Sequence, residues 1–447
     1  MKMLKINFHP LQLLVLGYGL VTILGALLLS MPISNAKGVY QPILDSLFVA
    51  TSGISTSGLS VVDIGSYYTL FGQIVLMCIF QIGGIGYMTF IIFIAYLLGE
   101  KISIMTGFIA KESLATKSYG YETLGRFFKN VLLYTFIFEF IGAVILTAFW
   151  CNEYSLTYSI YLGIFHSISA FCTAGFSTFP GSLMNYKSSL LMNLTINIIS
   201  LIGGIGFFVL IDGFDYISNK IRKIPARLSV HSKIALLMTL IVMTVGTATI
   251  MFSENWPVGY SAYDKLMVSS FQSISASTTD GYNSIDIGAM SSSGLTILMI
   301  LMFIGASPGS TGGGIKTTTL GVMFIALLAF FRGKKSISVF EREIPFMTIL
   351  KAFMVFSLFV MIAIIDLVIM AHTEKASYIR VLFEIISALG NTGLSAGITS
   401  SLSNIGKIVL IITMFIGRVG PISIAVAIFA KPHREALRFP QEDTFVG

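Results

Sequence analysis

Four glycines, each preceded by hydroxyl-bearing or amide residues, recur at near-equal intervals along the chain. Intervals of 117, 106 and 112 residues separate them, and a serine and a phenylalanine stand six and ten residues before each one. These glycines are Gly58, Gly175, Gly281 and Gly393. Glycine adopts left-handed backbone angles without steric strain. Four copies in one register therefore predict four equivalent turns that meet at one point.

Turns of this kind can present backbone carbonyl oxygens to a common axis. A ring of carbonyls replaces the hydration shell of a cation such as K⁺. The segments before the glycines are only about ten residues long, which is too short to cross a bilayer. They are 43–52, 160–169, 265–275 and 380–387. We expect half-helices that enter the membrane and turn back, with the negative C-terminal ends of their dipoles facing the axis.

The surrounding sequence must place these turns inside a membrane. Of the 447 residues, 55% are hydrophobic and only 11% are charged, and the mean hydropathy is +0.86. Eight apolar segments have the length that a helical span needs: 11–30, 71–98, 131–149, 190–211, 234–252, 295–331, 353–370 and 408–430. We predict an all-α polytopic membrane protein with eight transmembrane helices and four re-entrant pore helices. Its four repeats surround a central pore in a pseudo-fourfold arrangement and comprise residues 1–98, 99–215, 216–331 and 332–447, the last with the C-terminal tail.

Basic residues are concentrated in alternate connections. Of the 28 Lys and Arg residues, 20 lie in the N-terminus, in 99–130, 216–235 and 331–351, and in the tail. The positive-inside rule predicts that these segments and both termini are cytoplasmic in a multi-pass protein of the cell membrane. The net charge of +7 then reflects loop asymmetry, and we expect no nucleic-acid partner. A basic inner face is compatible with membrane lipids that carry anionic headgroups and equally with a docked protein.

The second span of each of the first two repeats contains the pentapeptide IGGIG, at 82–86 and at 202–206. Glycines in a membrane helix permit close packing or a bend. We favour packing for the first two glycines of each copy, namely Gly83, Gly84, Gly203 and Gly204.

The second span of the third repeat reads FIGASPGSTGGGIKTTT at 303–319. Proline costs about 3 kcal/mol and glycine about 1 kcal/mol in a helix interior, so this span must break. The run does not have the spacing of a phosphate-binding loop, because Ile315 separates Gly314 from Lys316. We therefore predict an irregular segment inside the membrane without nucleotide binding.

One arginine, Arg418, lies within the last apolar segment. A charged side chain there must face the protein interior and find a partner. Two interpretations are open: Arg418 shapes a barrier to cations, or it forms a structural ion pair with Asp366 or Glu139. Lys316 could act as Arg418 does. We assign no role to Glu139 and Asp366 themselves.

These motifs together resemble the superfamily of K⁺ transporters that comprises TrkH, KtrB and HKT. Its chains hold four M1–P–M2 units, each consisting of a membrane-spanning helix, a short pore segment and a second membrane-spanning helix. The length, short termini and basic loops are most similar to the KtrB branch. The resemblance implies a K⁺ selectivity filter of backbone oxygens from Thr56, Ser57, Gly58, Thr173, Ala174, Gly175, Thr279, Asp280, Gly281, Asn391, Thr392 and Gly393. Some HKT members that prefer Na⁺ have serine at the first filter glycine, so Gly58 implies a preference for K⁺.

The resemblance also implies a gate. The gate loop would consist of Gly305, Ala306, Ser307, Pro308, Gly309, Ser310, Thr311, Gly312, Gly313, Gly314 and Lys316, with Arg418 as a barrier beneath the filter. The chain would be the ion-translocating subunit of a K⁺ uptake system, a homodimer on a cytosolic KtrA-like ring of nucleotide-binding RCK domains. No cofactor is implied beyond K⁺ as the transported ion, and activation by Na⁺ is left open.

Two other functions compete with a channel-like pore. An ion-coupled symporter of K⁺ and Na⁺ with a midplane site is the main alternative, but such proteins have broken helices at corresponding positions of two halves. This sequence predicts four parallel units and one severely broken helix, which favours the pore. An enzyme is not expected, because the five histidines are scattered. His166, the one near the glycines, is predicted to line the pore mouth rather than bind a metal.

Overall fold

The structure, a computed structural model, describes residues 10–86, 121–334, 336–421 and 424. Predictions for the basic N-terminus, for 87–120 and for the tail lie outside the described residues. Within them the chain forms fifteen helices: α1 Pro10–Ser30, α2 Ile43–Ser55, α3 Ile64–Tyr67, α4 Leu70–Ile85, α5 Tyr121–Trp150, α6 Leu156–Phe171, α7 Leu190–Gly204, α8 Phe207–Ile221, α9 Val230–Ser253, α10 Ala262–Thr278, α11 Ser292–Phe303, α12 Thr317–Phe331, α13 Phe346–Thr373, α14 Tyr378–Gly390 and α15 Asn404–Val419. A small antiparallel hairpin, β1 Ser338–Val339 with β2 Arg342–Glu343, joins α12 to α13.

Serine or threonine begins many of the helices. In six of them its side-chain oxygen accepts a hydrogen bond from the backbone N–H three residues later, which satisfies one of the free donors of the first turn. The six capping residues are Thr69, Ser189, Ser229, Ser261, Ser291 and Ser403. The polar residues between the apolar segments therefore set where the helices start.

Three of the described helices are long and apolar enough to cross a membrane alone, namely α5 from Phe127 onwards, α9 and α13. Helices α7 and α8 meet the same criteria only together, and they are bent by 98° at their junction. The apolar segment predicted at 190–211, whose glycines permit close packing or a bend, is therefore bent rather than straight. The reason is Gly206, whose φ of 96° is incompatible with a helix.

Four of the shorter helices, α2, α6, α10 and α14, precede the four glycines. Each packs on the helix before it and the helix after it, except that α3 intervenes between α2 and α4. Each also contacts one helix from the neighbouring group, because α2 touches α15, α6 touches α4, α10 touches α7 and α14 touches α11. These contacts form a closed cycle, with four buried phenylalanines among them at Phe48, Phe165, Phe271 and Phe383.

Candidate functional site

The four short helices end in the same way, with a left-handed residue two positions before the glycine. The φ angle is 54° at Thr56, 49° at Thr173, 58° at Thr279 and 52° at Asn391. The N–H of each of these residues donates to the carbonyl three residues back, and the next N–H donates to the serine carbonyl five residues back, at 2.8–3.3 Å. Such a pair of bonds is the Schellman helix end. The carbonyl oxygen of the recurring serine is therefore part of each of the four helix ends.

The four glycines, which we call the glycine ring, pack against one another in a closed order. A Cβ atom built on any of them would fall 2.5 Å or less from a backbone oxygen of the next unit. Real Cβ atoms essentially never come within 3.0 Å of such an atom. The partners run from Gly58 to Ala174, from Gly175 to Asp280, from Gly281 to Thr392 and from Gly393 back to Ser57. The site therefore needs glycine for close approach as well as for its positive φ, which is 62–91° at the four positions.

The residues that follow the glycines line an open cavity of about 310 Å³. All four glycines border it, and polar groups from each unit continue its wall, including Ser60, Ser177, Asn283 and Ser395. A polar vestibule that reaches the glycine ring allows water or a hydrated ion to approach the ring.

The loop of residues 304–316, between α11 and α12, lies against the helix ends of the ring. Thr311 is fully buried, and its carbonyl oxygen accepts from Thr56 Oγ1 at 3.1 Å, while its hydroxyl lies 3.2 Å from Thr173 Oγ1. Thr279 Oγ1 accepts from the N–H of Gly313 at 2.9 Å. The left-handed residues Thr56, Thr173 and Thr279 thus all contact the 304–316 loop. The sequence correctly predicts that this loop is irregular.

The break between α7 and α8 provides the second anchor of the 304–316 loop. The free carbonyls of Gly204 and Gly203 accept from Ser307 N and Thr311 N at 3.0 and 3.2 Å. In return, the Gly309 carbonyl accepts from the N–H of Phe207 at 2.9 Å. The bend between α7 and α8 therefore leaves backbone groups without helical partners, and the loop satisfies them.

Two half-buried cationic side chains donate hydrogen bonds to carbonyl oxygens of the same loop. Lys316 Nζ donates to Gly312 O at 2.7 Å and lies 3.3 Å from Gly313 O. Arg418 donates to the carbonyl oxygens of Thr311 and Gly83. Arg418 therefore connects α15 to both the loop and α4.

The alternative of an ion pair between Arg418 and a buried carboxylate is wrong for the residues that the structure describes. Asp366 accepts from Thr413 Oγ1 at 2.7 Å, and Glu139 accepts from Gln81 Nε2 at 2.8 Å. Over the described ranges, the one ion pair joins Lys407 and Asp45 at 2.6 Å.

Glycines of the second spans have two separate tasks. A Cβ on Gly83, Gly203 or Gly417 would collide with the carbonyl of the residue four positions before a ring glycine. These are packing glycines, as predicted for the IGGIG copies. Three residues further on, Gly86, Gly206 and Gly420 have φ of 82°, 96° and 90° and end the helices. The Gly-x-x-Gly spacing at 417–420 is the feature of the sequence that indicates a third pair of this kind, after 83–86 and 203–206.

His166 does not line the pore mouth as the sequence analysis expects. It is fully buried, with Nδ1 2.9 Å from Leu162 O and Nε2 3.1 Å from the hydroxyl of Ser177, which is the residue that borders the vestibule. At the corresponding place in the fourth unit, Glu384 accepts from Ser395 Oγ at 2.5 Å and from Thr399 Oγ1 at 2.8 Å. Both side chains support the vestibule wall from behind.

Comparisons with known proteins identify the family of this chain. Residues 20–437 match the TrkH family, which is described as a cation transport protein. The chain belongs to the TrkH family. It is 37% identical over 446 residues to Ktr system potassium uptake protein B of Bacillus subtilis, covering 99% of this chain and 98% of the relative. It is 31% identical over 455 residues to the potassium/sodium uptake protein NtpJ of Enterococcus hirae, covering 100% and 99%.

A solved structure matches the fold of this TrkH-family chain. The crystal structure of the potassium transporter TrkH from Vibrio parahaemolyticus has a TM-score of 0.73 and 20% identity, covering 97% of this chain and 87% of the other. At that identity the likeness concerns the fold alone. Family membership and the apolar helices make the chain a membrane protein that transports cations, and not an enzyme.

Proposed function

We propose that this protein takes up K⁺ through a channel-like pore whose selectivity filter is the glycine ring. The observation that carries the proposal is the closed order of contacts, in which each ring glycine touches the carbonyl of the next unit. Four equivalent carbonyl-bearing turns around one axis are what coordination of a dehydrated cation needs. The printed names of two relatives, both potassium uptake proteins, support K⁺ as the ion.

In the proposed architecture four M1–P–M2 units surround the pore, with the boundaries predicted from the sequence. Helices α2, α6, α10 and α14 are the re-entrant pore helices, and each ring glycine and the two residues before it supply backbone oxygens. The four Schellman ends in one register support this assignment. Twelve filter residues, from Thr56 to Gly393, follow from it as in the sequence analysis.

The proposed gate is the 304–316 loop, with Arg418 as its positive barrier. Contacts of Thr311 with Thr56, Thr173 and Arg418 support this role, because they hold the loop across the helix ends on the side away from the vestibule. A cation leaving the ring would have to displace the loop and pass two half-buried positive charges, Lys316 and Arg418. Opening therefore requires loss of these hydrogen bonds.

The wider assembly is proposed from the family and from charge. The protein would lie in the cell membrane with both termini cytoplasmic, form a homodimer and bind a cytosolic RCK-domain ring. One relative is named protein B of a Ktr system, which supports a second protein in the assembly. The basic connections support the cytoplasmic location of the termini. Sodium as an activator stays an open part of the proposal.

The number of broken helices does not separate a pore from a symporter, because both α7–α8 and α11–α12 are breaks of second spans. The pore is favoured instead by the equivalence of four turns. Purified protein in liposomes, with K⁺ and Na⁺ flux measured under voltage clamp, tests this directly. Flux that saturates and is strictly coupled between two ions would establish the symporter.

The filter assignment is tested by Gly58→Ser in the same assay. The added side chain would meet Ala174 O, so we expect a lower K⁺-over-Na⁺ preference. Gly38→Ser is the matched control, because Gly38 also has positive φ (68°) but has no heavy atom within 4 Å of its Cβ position. If Gly58→Ser and Gly38→Ser show the same K⁺-over-Na⁺ preference, the glycine ring is not the selectivity filter.

A further inference from the structure

Asp280 precedes the third ring glycine and bears a carboxylate where the other three units have Ser57, Ala174 and Thr392. Its side chain is only 1% exposed. Oδ2 accepts a hydrogen bond from Ser200 Oγ on α7 at 2.5 Å. Oδ1 is also buried and accepts no hydrogen bond from any residue that the structure describes.

This environment is unusual for a buried carboxylate. A buried charge is costly unless a counter-charge or several donors compensate it. Glu384, by comparison, accepts from two hydroxyls and the backbone N–H of Ala396. The two half-buried cations near the ring, Lys316 and Arg418, donate to carbonyl oxygens of the loop and of Gly83 instead.

The backbone of the same residue lies in the glycine ring. The carbonyl oxygen of Asp280 is the atom that the Cβ position of Gly175 meets. Bond lengths limit the distance between this carbonyl and the carboxylate to about 5 Å. The carboxylate itself is held away from the ring backbone by its hydrogen bond to Ser200 on α7.

We propose that Asp280 is the fixed counter-charge of the cation held in the glycine ring, and that it determines how tightly the ring binds K⁺. This inference rests on the proposed function of the ring as a K⁺ filter. Among the residues that the structure describes, the carboxylate has no counter-ion, because the permeant cation provides one. Only the third unit has a carboxylate at this position, so one negative charge balances one bound K⁺.

The experiment measures thermal unfolding of the purified full chain in detergent while KCl replaces choline chloride at constant ionic strength. Asp280→Ala introduces the residue that the second unit has at this place, and Asp280→Asn keeps the shape. We expect both variants to need roughly tenfold more K⁺ for half-maximal stabilisation, because one unit charge close to the bound ion is lost. In choline alone both should unfold at a higher temperature than the unsubstituted protein, since an uncompensated charge is gone.

Asp366→Asn is the matched control, because Asp366 is likewise a buried aspartate with a single hydroxyl partner, Thr413, but lies on α13 away from the ring. Its K⁺ midpoint should not move. If Asp280→Ala and Asp280→Asn keep the original K⁺ midpoint, or are less stable in choline as well, Asp280 is a structural residue and the inference is wrong. If the unsubstituted protein is not stabilised by K⁺ over choline, the proposed filter fails instead. Should one Asp280 variant not fold, the other still decides the result.

Discussion

The glycine ring and the 304–316 loop lie next to each other but are built by opposite means. The ring consists of four near-identical backbone turns whose side chains differ, as Ser57, Ala174, Asp280 and Thr392 show. The loop is present once, and side chains such as Thr56, Thr173, Lys316 and Arg418 hold it. Coordination of an ion needs equivalent ligands around it, whereas one obstruction closes a pathway. We therefore expect the ring to be sensitive to backbone changes and the loop to be sensitive to side-chain changes.

The largest effect should come from Gly281→Ala in the ring. The new Cβ would overlap Thr392 O, and φ at this position is 88°, which alanine rarely adopts. The ring must open to accommodate it, so K⁺ flux in liposomes should be abolished while the protein remains in the membrane.

Gly259→Ala in the same unit is the control for Gly281→Ala. Gly259 has a φ of 100°, yet no heavy atom lies within 4 Å of its Cβ position. It carries the backbone strain without the collision, so flux should persist. If both variants lose flux equally, strain alone explains the loss and the close packing of the ring is irrelevant.

Substitutions that weaken the contacts of the 304–316 loop should raise K⁺ flux, whereas Gly281→Ala in the ring should abolish it. Arg418→Gln removes the charge that binds Thr311 O and Gly83 O, so K⁺ flux should rise roughly tenfold, as expected for loss of a half-buried positive charge beside the loop. Shortening the loop within 310–314 should likewise raise flux. Lys407 lies on α15 as Arg418 does, and its ion pair is with Asp45 on α2; Lys407→Gln, which removes that pair, should leave the rate near its original value. A loss of folded protein without a change in rate per molecule would instead make Arg418 a structural residue.

The sequence predicts the ring better than the loop because the ring repeats. Register among four copies identifies the glycines, the serines and the short helices without any knowledge of contacts. Composition alone predicts the break at 303–319. The positive φ of Thr56 and its equivalents is not predictable locally, since threonine disfavours that conformation and tertiary packing imposes it.

Contacts between units are the part that local sequence does not contain. The bend at Gly206 frees backbone groups that the 304–316 loop satisfies, and that loop belongs to the next unit along the chain. Because the partner of the bend is so distant in sequence, no local propensity signals it. Likewise, the partner of Arg418 is backbone rather than Asp366 or Glu139, because the fold brings the carbonyl of Thr311 to its guanidinium group.

A smaller effect should follow from Thr56→Val, which removes one hydroxyl from the boundary between ring and loop. The bond to Thr311 O is lost while shape is kept, and one hydrogen bond contributes about 1 kcal/mol, so flux should rise by about fivefold at most. Thr51→Val on the same helix is the control, because its hydroxyl bonds only to Leu47 O within α2. Unchanged flux in Thr56→Val would mean that the threonine hydroxyls do not restrain the loop.

The smallest effect concerns stability at the broken second span that anchors the loop. Gly213 lies within α8 with no heavy atom within 4 Å of its Cβ position, so Gly213→Ala should stabilise the protein by about 1 kcal/mol without changing flux. Gly203, in the preceding helix α7, would collide with Phe171 O, so Gly203→Ala should lower the unfolding temperature. Thermal unfolding of both variants in detergent measures the difference. Opposite signs confine the packing constraint to the part of the α7–α8 pair that touches α6 and the 304–316 loop, whereas equal shifts would extend it over the whole pair.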